Sequence, residues 1–138
     1  MKRFLCLAAL LGLTAASPAP VTVETATGDW SYLPSLSVRG YDHLNLKMMA
    51  KLHEIASHGQ CTLPGYSEGK LDLRLSFAVQ YDPKGTLQRV VLPKLNCPEA
   101  ESVVGGTVLE MLQGGDYRPT GANEDGWYKG DLSFTFAD

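Results

Sequence analysis

LDLRLSFAVQY, residues 71–81, decides the fold. Leu71, Leu73, Leu75, Phe77, Val79 and Tyr81 alternate with Asp72, Arg74, Ser76, Ala78 and Gln80. A period of two is that of a β-strand, whose successive side chains point to opposite faces. One side here is apolar and the other largely polar, so the strand belongs to a sheet covered on one face. Asp82-Pro83-Lys84-Gly85 follows as a turn, with Pro83 fixing its φ and Gly85 free to adopt positive φ. Residues 86–92 then return as the second strand of a hairpin.

Working outward, Pro93 closes that strand and Asn96-Cys97-Pro98-Glu99 opens a helix. It supplies a capping residue, a proline in the first turn and an acid near the positive helix end. Ala100, Val103, Val104, Thr107, Val108, Met111 and Leu112 form its inner side. Gly105 and Gly106 sit in the middle, each costing about 1 kcal/mol relative to alanine. They either let the helix approach the sheet closely or break it. Gly114 and Gly115 end it. Residues 128–136 alternate again: Tyr128, Gly130, Leu132, Phe134 and Phe136 against Lys129, Asp131, Ser133 and Thr135. Upstream, Leu44, Met48, Leu52 and Ile55, widened by Met49 and Ala56, predict a helix over 42–58, from an Asp42 cap to Gly59. Lys47, Lys51, Glu54 and His58 form its solvated face. The expected architecture is a two-layer α+β domain over residues 38–138. Its antiparallel sheet has about three strands in the order strand, strand, helix, strand. Helices lie on one face, and an additional N-terminal helix precedes the sheet.

The chain start carries an address. Lys2 and Arg3 precede the apolar run FLCLAALLGL (4–13), followed by Thr14, Ala15, Ala16, Ser17 and Ala19. A charged start, a short apolar core and small residues make a secretory signal over 1–19, with the cut expected near Ala16. The apolar core is about half the length a membrane span needs, so the mature chain is expected to have no span and to be periplasmic or secreted. Residues 20–37 hold Pro20 and Pro34 in a Thr/Glu/Ala mixture and read as a flexible lead-in, onto which Trp30, Tyr32 and Leu33 could pack.

The 138 residues carry a formal charge of −3, becoming −5 without Lys2 and Arg3, which argues against nucleic acid as partner. Composition is ordinary for a packed domain, with 44% hydrophobic residues, and excludes disordered, collagen-like and coiled-coil chains. Removing the leader takes Cys6 and leaves Cys61 and Cys97. An even pair in an exported chain reads as a disulfide, the alternatives being two buried thiols or a catalytic cysteine. No Cys-x-x-Cys is present. His43, His53 and His58 lack metal-ligand spacing. There is no nucleophile elbow or phosphate-binding glycine loop. The reading is therefore a non-enzyme with no cofactor and no metal.

From residue 71 to 136 the pattern resembles the carboxy-terminal domain of TonB, the energy transducer of the Gram-negative envelope. The resemblance rests on the strand ending in the Gly85 turn, the second strand through Val90 and Val91, and the helix after Cys97-Pro98. Tyr117-Arg118-Pro119 follows, then a polar loop closing at Gly126 and an alternating strand to Phe136. It is also similar to small exported proteins of this type that carry a cysteine pair. The resemblance implies an interaction module whose last strand accepts a partner segment as an added strand. The implied docking residues are Tyr128, Lys129, Gly130, Asp131, Leu132, Ser133 and Phe134. The implied partner is a protein of the cell envelope, a second copy included. Lys129 and Asp131 also suit gatekeepers against unwanted pairing. TonB has a membrane helix and a long proline-rich spacer; this chain has a leader read as removable and a short lead-in. The implied protein is thus a free module, not an anchored transducer. The alternative is a small ligand-binding or enzyme-inhibitor protein that uses the 119–126 loop with Trp127 and Tyr117 as aromatic contacts.

Overall fold

The computed structural model describes residues 20–39, 44–121 and 123–137. The expected leader over 1–19, its cut near Ala16 and the Asp42 cap lie outside them. Chain order is β1 (Thr22–Ala26), β2 (Ser37–Val38), α1 (Leu44–Ser57), β3 (Tyr66–Ser67), β4 (Lys70–Tyr81), β5 (Leu87–Pro93), α2 (Pro98–Gly114), β6 (Tyr117–Arg118) and β7 (Trp127–Ala137). The domain is α+β, with two helices among the described residues.

β4 is the centre of the sheet. It pairs antiparallel with β7 along eleven residues without a break, from Lys70↔Ala137 to Gln80↔Trp127. On its other side it pairs with β5 near the turn and with the short β3 at its start. β1 then adds to β5 in parallel, Val23 opposite Val90. The expectation of about three antiparallel strands is therefore corrected to a mixed, five-stranded sheet among the described residues. The two strands beyond the expected three are the two-residue β3 and β1, which lies in 20–37. That segment contributes β1 and is part of the domain, not a lead-in before it. Its Thr/Val/Glu/Thr run has β-branched residues suited to a strand but too few apolar positions to show alternation.

The predicted apolar sides of β4 and β7 lie side by side on one face of the ladder. Leu71, Leu73, Leu75, Phe77 and Val79 are buried, as are their neighbours Phe134, Leu132 and Tyr128. α1 covers this face beside β7, and α2 covers it beside β5 and β1. Met48, Met49, Leu52, Ile55 and Ala56 of α1 are buried, as the helical spacing predicts. α1 follows β1 and β2 instead of leading the fold. Gly105 does not break α2: a β-carbon there would meet Leu92 Cδ1 at 3.1 Å and Val23 Cγ1 at 3.2 Å. Close approach of α2 to the sheet is thus the reading that holds for Gly105, while Gly106 faces open space. At the start of α2, Glu101 Oε1 accepts the Leu95 N–H at 2.7 Å. Cys61 and Cys97 form a disulfide, Cα–Cα 5.7 Å, tying the end of the α1 region to the N-terminus of α2.

The second face of the sheet is only half open. Residues 27–36 leave β1 at one edge and cross to β7 at the other. Under this strap Ala78 and Val91 are buried, though both sit on the face predicted to meet solvent. Asp29 Oδ1 accepts the Ser31 N–H at 2.9 Å within the strap, a bond that holds the Asp29 carboxyl below the usual carboxylate range. Beyond the strap, Asp131 and Ser133 form a solvated polar ladder with Ser76 and Arg74, and Ser76 Oγ bonds the Asp131 carboxylate.

Candidate functional site at the outer edge of the last strand

Among the described residues β7 forms a ladder on one side only, with β4. Its other side begins occupied: the Lys129 N–H donates to Pro34 O at 2.9 Å, and Lys129 O accepts the Leu36 N–H at 2.8 Å. Lys129 thus points its backbone outward. Alternation along an unbroken ladder then points Asp131, Ser133 and Thr135 outward as well. None of those three N–H groups donates to a backbone carbonyl among the described residues. The open edge therefore runs from Asp131 to the strand's end.

Of the seven expected docking residues, the structure divides two kinds. Tyr128, Gly130, Leu132 and Phe134 are buried and lie on the face toward the helices. Asp131 and Ser133 present free backbone groups outward, and their side chains are exposed. At Lys129 the edge is already taken by the strap, so that position is not free for an added strand. The stretch of edge left unpaired among the described residues is thus 131–137, which overlaps the expected 128–134 only from Asp131 on. The cause is the strap, which carries no periodicity to announce it. Lys129 Nζ lies 3.9 Å from Asp131 Oδ2, a half-exposed pair at the mouth of the open stretch. Charged residues here suit an edge that must avoid indiscriminate pairing.

The residues carrying the resemblance have structural work. Tyr117 is buried and meets Phe77 edge-on, ring centroids 5.7 Å apart. Gly126 has φ +68, and a β-carbon there would lie 2.1 Å from Tyr81 O, while Gly126 O accepts the Tyr81 N–H at 2.8 Å. Only glycine seats this loop against the hairpin. Arg118 and Pro119 are exposed. The Tyr81 phenol is pushed above its ordinary value, first by burial and then by Tyr128, whose ring centroid is 6.0 Å away.

The acids Asp72 and Asp131 do not converge: they pair with Thr135 and Ser76, four residues apart along the ladder. His53 packs its ring against Phe136 and Tyr66, with Nε2 3.0 Å from Gly69 O. His58 is exposed beyond the end of α1. No helix among the described residues is long and apolar enough to cross a membrane. Comparison of the chain with protein-family models, curated proteins and solved structures gives no match.

Proposed function

We propose that this protein is an exported interaction module that takes up a partner strand along β7 from Asp131 to Ala137. The observation that carries the reading is the row of outward backbone groups at Asp131, Ser133 and Thr135, left unpaired among the described residues beside an unbroken β4–β7 ladder. Unpaired N–H and C=O groups bind an incoming extended segment through main-chain hydrogen bonds. The order strand, strand, helix, strand in β4, β5, α2 and β7 supports the TonB-like resemblance. The disulfide supports an oxidising compartment such as the periplasm.

Proline at an outward position tests this directly. Ser133→Pro deletes one outward N–H and leaves the bonds to β4 in place, as edge prolines do. Leu132→Pro would instead remove an inward bond and unfold the strand. Pull-down from Gram-negative envelope extract should recover a partner with the parent chain and with Ser133→Ala, and lose it with Ser133→Pro. Circular dichroism must show the proline variant folded. Full retention of partners by a folded Ser133→Pro chain would exclude edge pairing.

A further inference from the structure

The strap does more than cover Ala78 and Val91. Between it, the sheet and the 119–126 loop lies a cleft of about 490 Å³, within the range of small-molecule sites. Both tryptophans of the chain line it, Trp30 from the strap and Trp127 from β7, with Tyr32 between strap and solvent. Tyr32 is 79% exposed, the most exposed large hydrophobic side chain among the described residues. Among the described residues, none of these three rings stacks on another; the aromatic pairs of the fold lie elsewhere. Three separate aromatic surfaces therefore border one space that their own packing does not fill.

The polar groups of the cleft have a sign. Gln80 and Asn123 supply amides, and among the described residues Asp125 is the only charged one in the lining. Asn123 is held in place, its Nδ2 donating to Trp127 O at 2.6 Å. Two cations adjoin the cleft: Arg89, cross-strand from Gln80, stacks its guanidinium over Trp127 at 5.6 Å and is ion-paired with Glu24, and Lys129, cross-strand from Ala78, lies 3.9 Å from Asp131. Each of these cations has its own carboxylate, which leaves Asp125 as the charge of the lining without an ion-pair partner among the described residues.

We propose that this cleft binds a small organic cation, an ammonium or quaternary ammonium group on a short apolar frame. Aromatic faces attract a cation through their ring quadrupoles, and a carboxylate at the rim adds a charge partner. A neutral ligand of the same shape gains neither. The site is separate from the β7 edge and does not depend on the strand-pairing reading.

Because the cleft holds both tryptophans, intrinsic fluorescence of the intact chain reports it without a label. Choline is the probe, titrated at constant ionic strength beside its uncharged isostere, in which a tert-butyl group replaces trimethylammonium. Choline should give a saturable change in emission, and the isostere should bind at least about tenfold more weakly. Asp125→Asn, an exposed substitution with no demand on the core, should weaken choline several-fold. A peptide bearing trimethyl-lysine separates the two sources of such a group. Response to choline assigns the cleft to a free small cation; response to the peptide alone would overturn that and place the ammonium on a protein. Equal binding of choline and its isostere, or no saturable change with choline, would also overturn the proposal.

Discussion

Gly130→Ala puts one methyl group where the β4–β7 register leaves no room. Gly130 pairs with Phe77, and an added β-carbon would lie 2.2 Å from the ring's Cζ and under 3.0 Å from Cε1 and Cε2. Phe77 is fully buried, and Tyr117 stands edge-on against it, so the ring has no free direction of retreat. Overpacking of this kind costs about 1–3 kcal/mol, and a rigid ring between two walls belongs at the upper end. At about 4 °C per kcal/mol for a domain of this size, the melting temperature should fall by roughly 10 °C. The assay is thermal and urea unfolding of the parent, Gly130→Ala, Phe77→Leu and the double variant. Shrinking the ring relieves the clash, so Phe77→Leu should be less damaging in the Gly130→Ala background than in the parent, a coupling of at least about 1 kcal/mol. A Gly130→Ala chain as stable as the parent, or strictly additive variants, would refute the register and the packing argued from it.

Two further perturbations probe other parts of the fold. Reducing Cys61–Cys97 opens a ring of 36 positions, which the chain-entropy relation values at about 4 kcal/mol. Mass spectrometry should show a gain of two hydrogens with reductant, and Cys61→Ser/Cys97→Ser should unfold at much lower urea; an unchanged mass would remove the staple. The raised Tyr81 pKa fixes a sign: below the ordinary tyrosine pKa both states are neutral, and above it the unfolded chain ionises while the native phenol resists. Stability should therefore fall as pH rises from the ordinary value through the native one, and Tyr81→Phe should flatten that fall in urea titrations; an unchanged slope would contradict the burial of this phenol.

How far the sequence could be read depends on which forces leave a pattern. Residues 71–81 and 128–136 each bury one face, and burial on one face writes alternation into the chain. α1 and α2 write the helical period for the same reason. β1 and the strap write nothing comparable. β1 is stabilised by backbone pairing to β5, and the strap by Trp30 and Leu33 lying across the sheet and by the Pro34–Leu36 bonds to Lys129. Backbone hydrogen bonds are blind to side-chain type, so a short strand added in parallel has little signature. The same gap hid the cleft: Trp127 stands out among aromatic residues, but its partners Trp30 and Tyr32 come from the far end of the chain. The ligand-binding alternative pairs Trp127 with Tyr117, which the structure buries against Phe77.

Amide hydrogen exchange along β7 in the isolated protein reads the open edge residue by residue. Gly130, Leu132, Phe134 and Phe136 donate inward to β4 and should exchange slowly, as should Lys129 beneath the strap. Asp131, Ser133 and Thr135 should exchange fast, giving an alternating profile that becomes uniformly slow when a partner strand docks. Slow exchange at those three amides in the monomer would contradict the account, because the edge would already be filled.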